Sequence, residues 1–245
     1  MIPAVRRQKL LNLLKERELL YLPDVIEAMG SSESTVRRDL KTLARSGEVE
    51  LLRGGGVRLP KHNVEMSIHA KLQMSRVEKA RIARAAAALI YPGDVVFLDP
   101  SSVNYLVIDY IQAERVTVVT NSIIHMNKLL EADIHCIMIG GQIKKMTSSC
   151  VGPMAEKMLK NMRFSKCFLG TDGIDRDGGL TNHDPQEQSI KRLVIDNSVT
   201  TYFLVDSSKF GTTAMCRVAP VEDHMILTDC EVPGYGEFDN IIVVD

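Results

Sequence analysis

The sequence predicts a chain of two domains, a small N-terminal module of three helices closed by a hairpin and a larger, mainly parallel α/β domain. Three observations carry this reading. Val36, Leu40 and Leu43 recur at i, i+4 and i+7 just after Gly30 interrupts an earlier helical pattern, so two short helices meet at a tight turn. The run Arg53-Gly54-Gly55-Gly56-Val57-Arg58 sets glycines between short apolar segments, as a bend between two strands requires. Beyond residue 90, apolar runs of strand length alternate with helical segments, the pattern of a sheet whose strands are joined by helices.

Val5 to Leu14 suits a first helix with an apolar face and a basic face that holds Arg6 and Arg7. Pro23 at the first helical position, followed by Val25, Ile26 and Met29, gives a short second helix that stops at Gly30. Ser31 or Ser32 then caps a third helix by accepting a backbone N–H, and Gly47 ends it. Its inner stripe is Val36, Leu40 and Leu43, and its outer face carries Ser34, Thr35, Arg37, Arg38, Lys41 and Arg45. Val49 to Leu52 and the glycine-rich bend complete a wing, so residues 1–59 read as a winged helix-turn-helix.

Short hydroxyls at a helix start, followed by cations, suit a groove lined by phosphates. A recognition helix sets its first residues on base edges while basic and hydroxyl side chains hold the flanking backbone. Operator DNA is therefore the expected partner, met by Arg6, Arg7, Ser32, Ser34, Thr35, Arg37, Arg38, Lys41, Arg53 and Arg58. For the helix alone, the alternative is a solvated amphipathic helix whose arginines only keep it soluble. Residues 1–60 hold eleven Lys/Arg against eight Asp/Glu, while residues 61–245 hold nineteen against twenty-three. So modest a basic surplus calls for two or more copies on one DNA site, and a homo-oligomer, dimer or tetramer, is expected.

Residues 60–75 have little periodicity and read as a linker, and residues 76–245 form the second domain. An alanine-rich helix from Ala80 to Ile90 leads through Pro92-Gly93 into a strand from Val95 to Leu98. Further strands are expected at Val116–Val119, Cys136–Ile139, Lys166–Leu169, Tyr202–Val205, Met225–Leu227 and Ile241–Val244. In open parallel sheets ligands bind beyond the carboxyl ends of the strands. Those ends carry Asp99-Pro100-Ser101-Ser102, Thr120-Asn121-Ser122, Gly140-Gly141, Gly170-Thr171-Asp172-Gly173 and Asp206-Ser207-Ser208-Lys209. Backbone N–H groups and hydroxyls make an anion site, Lys209 adds charge for a phosphate, and Asp99 and Asp172 suit sugar hydroxyls. Any one such loop is equally ordinary in an α/β protein; their coincidence points to a phosphorylated small-molecule effector.

Other classes find less support. No apolar run approaches the ~18 residues that a membrane span needs. The first twenty residues are amphipathic and mixed in charge, so a cytoplasmic location without membrane partners is expected. The cysteines, Cys136, Cys150, Cys167, Cys216 and Cys230, form no C-x-x-C pair and read as reduced. The histidines show no metal-ligand spacing, so neither a metal nor another cofactor is expected. Asp172, Asp175 and Glu187 keep an acid–base enzyme open on residue types.

The stretch Ser32-Glu33-Ser34-Thr35-Val36-Arg37-Arg38-Asp39-Leu40 resembles the S-x-x-T-[IV]-R-R-D-L motif of the DeoR family of bacterial transcription regulators, and Gly54-Gly55 resembles its wing. The resemblance runs on through Gly93-Asp94, Leu98-Asp99, Thr120-Asn121-Ser122, Gly140-Gly141, Val151-Gly152, Asp172-Gly173-Ile174-Asp175, Gly179-Leu180-Thr181, Lys191-Arg192 and Asp206-Ser207-Ser208-Lys209-Phe210-Gly211. It implies a sensor domain similar to ribose-5-phosphate isomerase, and it adds Lys191 to the effector-binding candidates. It also implies repression of a carbohydrate-catabolism operon, relieved by a phosphorylated sugar. Three departures stand out. Asp99-Pro100-Ser101-Ser102-Val103 replaces the family's D-x-G-T-T; Leu51 and Arg53 stand at the wing's usual Arg and His; and Asp177-Gly178-Gly179 follows Asp175 where the isomerase has a lysine. A carboxylate there would not stabilise an enediolate, so a non-catalytic sensor is expected over the alternative, a sugar-phosphate isomerase with a DNA-binding appendage.

Overall fold

A computed structural model describes residues 2–17, 19–46, 48–52, 54–59 and 65–245. The chain divides into two units, Met1–Ala70 and Lys71–Asp245.

In the first unit, α1 (Pro3–Glu16) begins on a proline, whose missing N–H costs nothing in a first helical turn. The short strand β1 (Leu20–Tyr21) leads into α2 (Leu22–Met29), which ends at Gly30 in the left-handed region, φ 56°. Next comes α3 (Glu33–Arg45), with Val36, Asp39, Leu40 and Leu43 on its buried side. Ser32 is its N-cap by backbone geometry, but its side chain caps nothing. The expected end at Gly47 lies outside the described residues. The wing is β2 (Glu50–Leu51) against β3 (Gly56–Arg58), antiparallel, with Glu50 opposite Arg58. Gly54 (φ 88°) and Gly55 (φ 82°) make the bend in a conformation that side-chain-bearing residues rarely adopt. β1 also pairs with β3, giving the sheet order β1-β3-β2. Leu10, Leu14, Val25, Met29, Val36, Leu40, Leu43 and Val57 form one core.

Of the stretch read as a linker, residues 60–64 lie outside the described residues, and α4 (Ile68–Lys71) falls within the remainder. In the second unit α5 (Arg76–Ala87) precedes β4 (Val95–Leu98), α6 (Ser102–Val107), β5 (Thr117–Thr120), α7 (Ile123–Glu131) and β6 (His135–Met138). A hairpin follows, β7 (Gln142–Lys144) and β8 (Ser149–Val151), then α8 (Pro153–Leu159) and β9 (Phe164–Leu169). The remaining elements are β10 (Gly173–Asp175), β11 (Gly179–Asn182), α9 (Pro185–Asp196), β12 (Ser198–Leu204), β13 (Cys216–Ala219), β14 (Met225–Thr228) and β15 (Ile241–Val243).

Seven strands form one parallel sheet in the order β15-β14-β12-β9-β4-β5-β6. Its two faces follow from the two-residue period of a strand. Phe97, Val119, Cys167, Leu169 and Phe203 face α8 and α9 through Ala155, Leu159, Ile190 and Val194. Val96, Leu98, Val118, Phe168 and Leu204 face Ile82, Ala83, Ala86, Val103, Val107 and Leu129 of α5, α6 and α7. Burial on both faces is why the central strand β4 reads as an unbroken apolar run. The chain builds outward from β4 to β6 and then returns to β9 on the other side of β4, so the order reverses between β4 and β9. That reversal opens the crevice where such sheets bind ligands. Two antiparallel additions, β10-β11-β13 and β7-β8, were not anticipated from the sequence.

Candidate functional site

The first unit presents a basic face on α3. Ser34, Arg37, Arg38, Lys41 and Arg45 are exposed and Thr35 is half-buried, as expected of an outward face. The exposed Ser32 hydroxyl bonds those of Ser34 (3.2 Å) and Thr35 (2.9 Å), so the polar start of the helix is a cluster of hydroxyls. Arg37 Nε donates to Glu33 Oε1 at 2.7 Å, and Arg58 Nε donates to Glu50 Oε2 at 2.7 Å across the wing. Arg7 is half-buried and donates to the Pro3 carbonyl at 3.3 Å. Arg6 corrects the sequence reading. It turns inward to an ion pair with the buried Asp39 on α3, because a carboxylate on that helix's apolar side needs a cation. Arg53 lies outside the described residues.

In the second unit the ends of β4 and β9 meet. Asp99 is buried, and both its oxygens are taken: Oδ1 accepts from the Ser101 N–H (3.1 Å) and Asn104 Nδ2 (2.8 Å), Oδ2 from the Gly170 N–H (2.8 Å) and Lys191 Nζ. Lys191 also donates to the Gly170 carbonyl at 2.7 Å. Burial alone would raise the Asp99 pKa; Lys191 and these N–H groups hold it below the ordinary value. Asp99 and Lys191, both read as effector contacts, are thus spent on each other and brace the crevice. A side chain on Gly170 would start 2.5 Å from Ser101 Cβ, so glycine is required for the two loops to approach.

The other strand ends are similarly tied. Ser101 Oγ accepts the Asn104 N–H and caps α6, and Ser122 Oγ accepts the His125 N–H and caps α7. Ser102 is buried beside them. Thr120 Oγ1 donates to the Leu98 carbonyl at 2.7 Å, and Asn121 Nδ2 to the Cys150 carbonyl at 2.9 Å. His125 is fully buried with Nε2 3.2 Å from the Ser101 carbonyl; burial pushes it down to about 4 although Asp99 pulls the other way. A side chain on Gly141 would meet the Val151 carbonyl at 2.6 Å, so that glycine serves the β7-β8 hairpin; one on Gly140 would make only an ordinary contact, 4.0 Å from Met158 Sδ.

The cationic end of the crevice is built from more than the sequence disclosed. Asp172, after β9, accepts from Lys71 Nζ (2.6 Å), Asn182 Nδ2 (3.0 Å) and the His183 N–H (3.2 Å). Burial opposes its charge, yet Lys71, Lys209 and His183 hold it well below the carboxylate range. Lys79, buried on α5, donates to the Lys71 carbonyl. Its burial, with Lys209 and Lys71 nearby, brings it down to about 8 against the pull of Asp206 and Glu78. Lys209 is half-buried and also lowered, by burial first and then by Lys71, with Asp206 and Asp172 opposing. Sequence reading found Lys209 and missed Lys71 and Lys79. A signal for Lys79 existed: it stands at the inward stripe position of α5, with Ile82, Ala83 and Ala86 at i+3, i+4 and i+7.

The acid–base trio has separate structural tasks. Asp175 Oδ1 accepts the N–H groups of Asp177 (3.1 Å) and Gly178 (2.7 Å) in the β10-β11 turn. Glu187 is buried, bonded to Thr147 (2.7 Å) and paired with Lys144 (3.3 Å), and burial raises its pKa. Among the described residues no group of His, Cys, Asp and Glu is arranged to hold a metal ion, and no helix is long and apolar enough to cross a membrane.

Residues 6–62 match the DeoR-like helix-turn-helix domain and residues 74–230 the DeoR C-terminal sensor domain. The chain is 30% identical to the uncharacterized HTH-type transcriptional regulator FruR of Bacillus subtilis, over 100% of this chain and 98% of that protein. It is 30% identical to the glycerol-3-phosphate regulon repressor of Escherichia coli, over 88% of this chain and 86% of that protein. Among solved structures, ribose 5-phosphate isomerase A from Methanocaldococcus jannaschii aligns with a TM-score of 0.40 and 18% identity, over 54% of this chain and 53% of that one.

Proposed function

Because the chain belongs to the DeoR family of transcriptional regulators, we propose that it is a sequence-specific repressor of a carbohydrate-catabolism operon that leaves its operator on binding a phosphorylated sugar metabolite. The observation that carries this reading is α3: an apolar and acidic inner side fixed to α1, and an outer side of hydroxyls and cations suited to a major groove. Arg38, Lys41, Arg7 and the paired Arg37 and Arg58 meet the DNA, with Ser32, Ser34 and Thr35 at the helix start.

The effector's phosphate binds beside Lys209, Lys71 and Lys79, and its hydroxyls meet the polar strand ends near Asp172, Asn182 and Ser101. The relative named for the glycerol-3-phosphate regulon supports a small phosphorylated ligand. The separate tasks of Asp175 and Glu187 support a sensor without catalysis. Repression and release follow from linkage: the ligand loosens DNA binding only as far as it favours an arrangement of two or more copies that misfits the half-sites.

The test is a salt-titrated binding curve on DNA from upstream of the protein's own gene, against a scrambled duplex of equal length. The native fragment is expected to bind at least ~1000-fold tighter. Equal affinities with one common salt slope would reduce the protein to a non-specific DNA binder and reject the reading.

A further inference from the structure

The first residue of α3 is a carboxylate on the same exposed helix surface as the cations. Glu33 and Arg37 have side chains 56% and 59% exposed, one helical turn apart, and Arg37 Nε donates to Glu33 Oε1 at 2.7 Å. An acidic group in this place repels DNA phosphates unless something in the groove repays it. On base edges of the major groove the groups that donate to a carboxylate are the amino groups of cytosine and adenine.

Resting on the operator reading above, we propose that Glu33 and Arg37 form one reading unit that sets base specificity. Glu33 accepts from the amino group of a cytosine or adenine, while Arg37 reads a neighbouring guanine. The geometry divides the work. Glu33 occupies Arg37 at Nε, and among the described residues neither Nη group has a hydrogen bond, so the end of the guanidinium is free to meet guanine O6 and N7 as a fork. The pair exists before DNA arrives, so less side-chain freedom is lost on binding. Glutamate four residues before a cation is also the favourable order on a helix, and a carboxylate in the first turn suits the helix dipole. Those helix effects are small and blind to sequence, which separates them from a reading role.

The experiment enriches duplexes from a random library with full-length wild type, Glu33→Gln and Glu33→Ala, after thermal melting shows the variants folded. Wild type is expected to select a motif holding a guanine beside an adenine or cytosine. Both variants are expected to lose preference at that adjacent base by about tenfold or more, keep the guanine, and bind scrambled DNA at least as tightly as wild type. Unaltered preference at every position, or an equal weakening on all sequences, would overturn the proposal. A wild-type protein that enriches no motif at all would overturn the operator reading, and Glu33's role with it.

Discussion

Asp99 and Lys191 stand 92 residues apart in sequence and meet as a buried pair at the reversal point of the sheet. Removing one partner leaves the other charge buried and uncompensated, which costs about 3–5 kcal/mol. Asp99→Asn and Lys191→Met are therefore each expected to lower unfolding stability by that order in chemical denaturation. A loss below about 1 kcal/mol in both would show that the pair does not brace the crevice. Lys79 makes a pH prediction. Its folded pKa of about 8 lies below the ordinary lysine value of 10.5, so it loses its charge as pH rises through 8. A bound phosphate favours the charged form, so effector affinity is expected to fall as pH rises above 8, in calorimetric titrations across that range. An affinity flat from pH 7 to 9.5 would remove Lys79 from the phosphate's field. At the DNA face, Arg38→Ala is expected to weaken operator binding by about tenfold to a hundredfold. Unchanged affinity in the same titration would take it off the interface.

At the scale of elements, α6 and α7 are held together through His125, which is neutral in the folded chain with a value of about 4 against 6.5 for the free group. The unfolded chain takes up that proton first as pH falls, so stability present above pH 6.5 is lost on the way down to 4. The expected loss is on the order of 3 kcal/mol. Urea midpoints at pH 7 and pH 4.5 measure it, and His125→Asn is expected to flatten the dependence; an equally steep fall in that variant would assign it elsewhere. Strand β4 was legible because burial on both faces leaves nothing polar within it: Val95–Leu98 is the same in sequence and structure. β1 was not, since two residues show no alternation. β10 and β11 escaped notice because Gly173, Gly179 and Thr181 read as loops, and only pairing with each other and with the short β13 makes them strands. The pairing of Asp99 with Lys191, and of Arg6 with Asp39, was missed for one reason: sequence shows a charge but not the opposite charge that folding brings to it.

For the whole molecule, the proposed function joins a DNA-reading unit of modest charge to a metabolite-sensing one. Two or more copies acting on paired half-sites gain affinity through effective concentration. Deleting one half-site from the selected operator is expected to weaken binding by at least about a hundredfold, and a loss of only twofold would mean that single copies suffice. The most direct test of the central claim adds a sugar phosphate, and separately its dephosphorylated form, to the preformed protein–DNA complex of wild type and of Lys209→Ala. Release of wild type by the phosphorylated sugar alone, with Lys209→Ala still bound to DNA, is the predicted result. Equal release by the unphosphorylated sugar, or normal release of Lys209→Ala, would contradict a phosphate sensor built on that lysine.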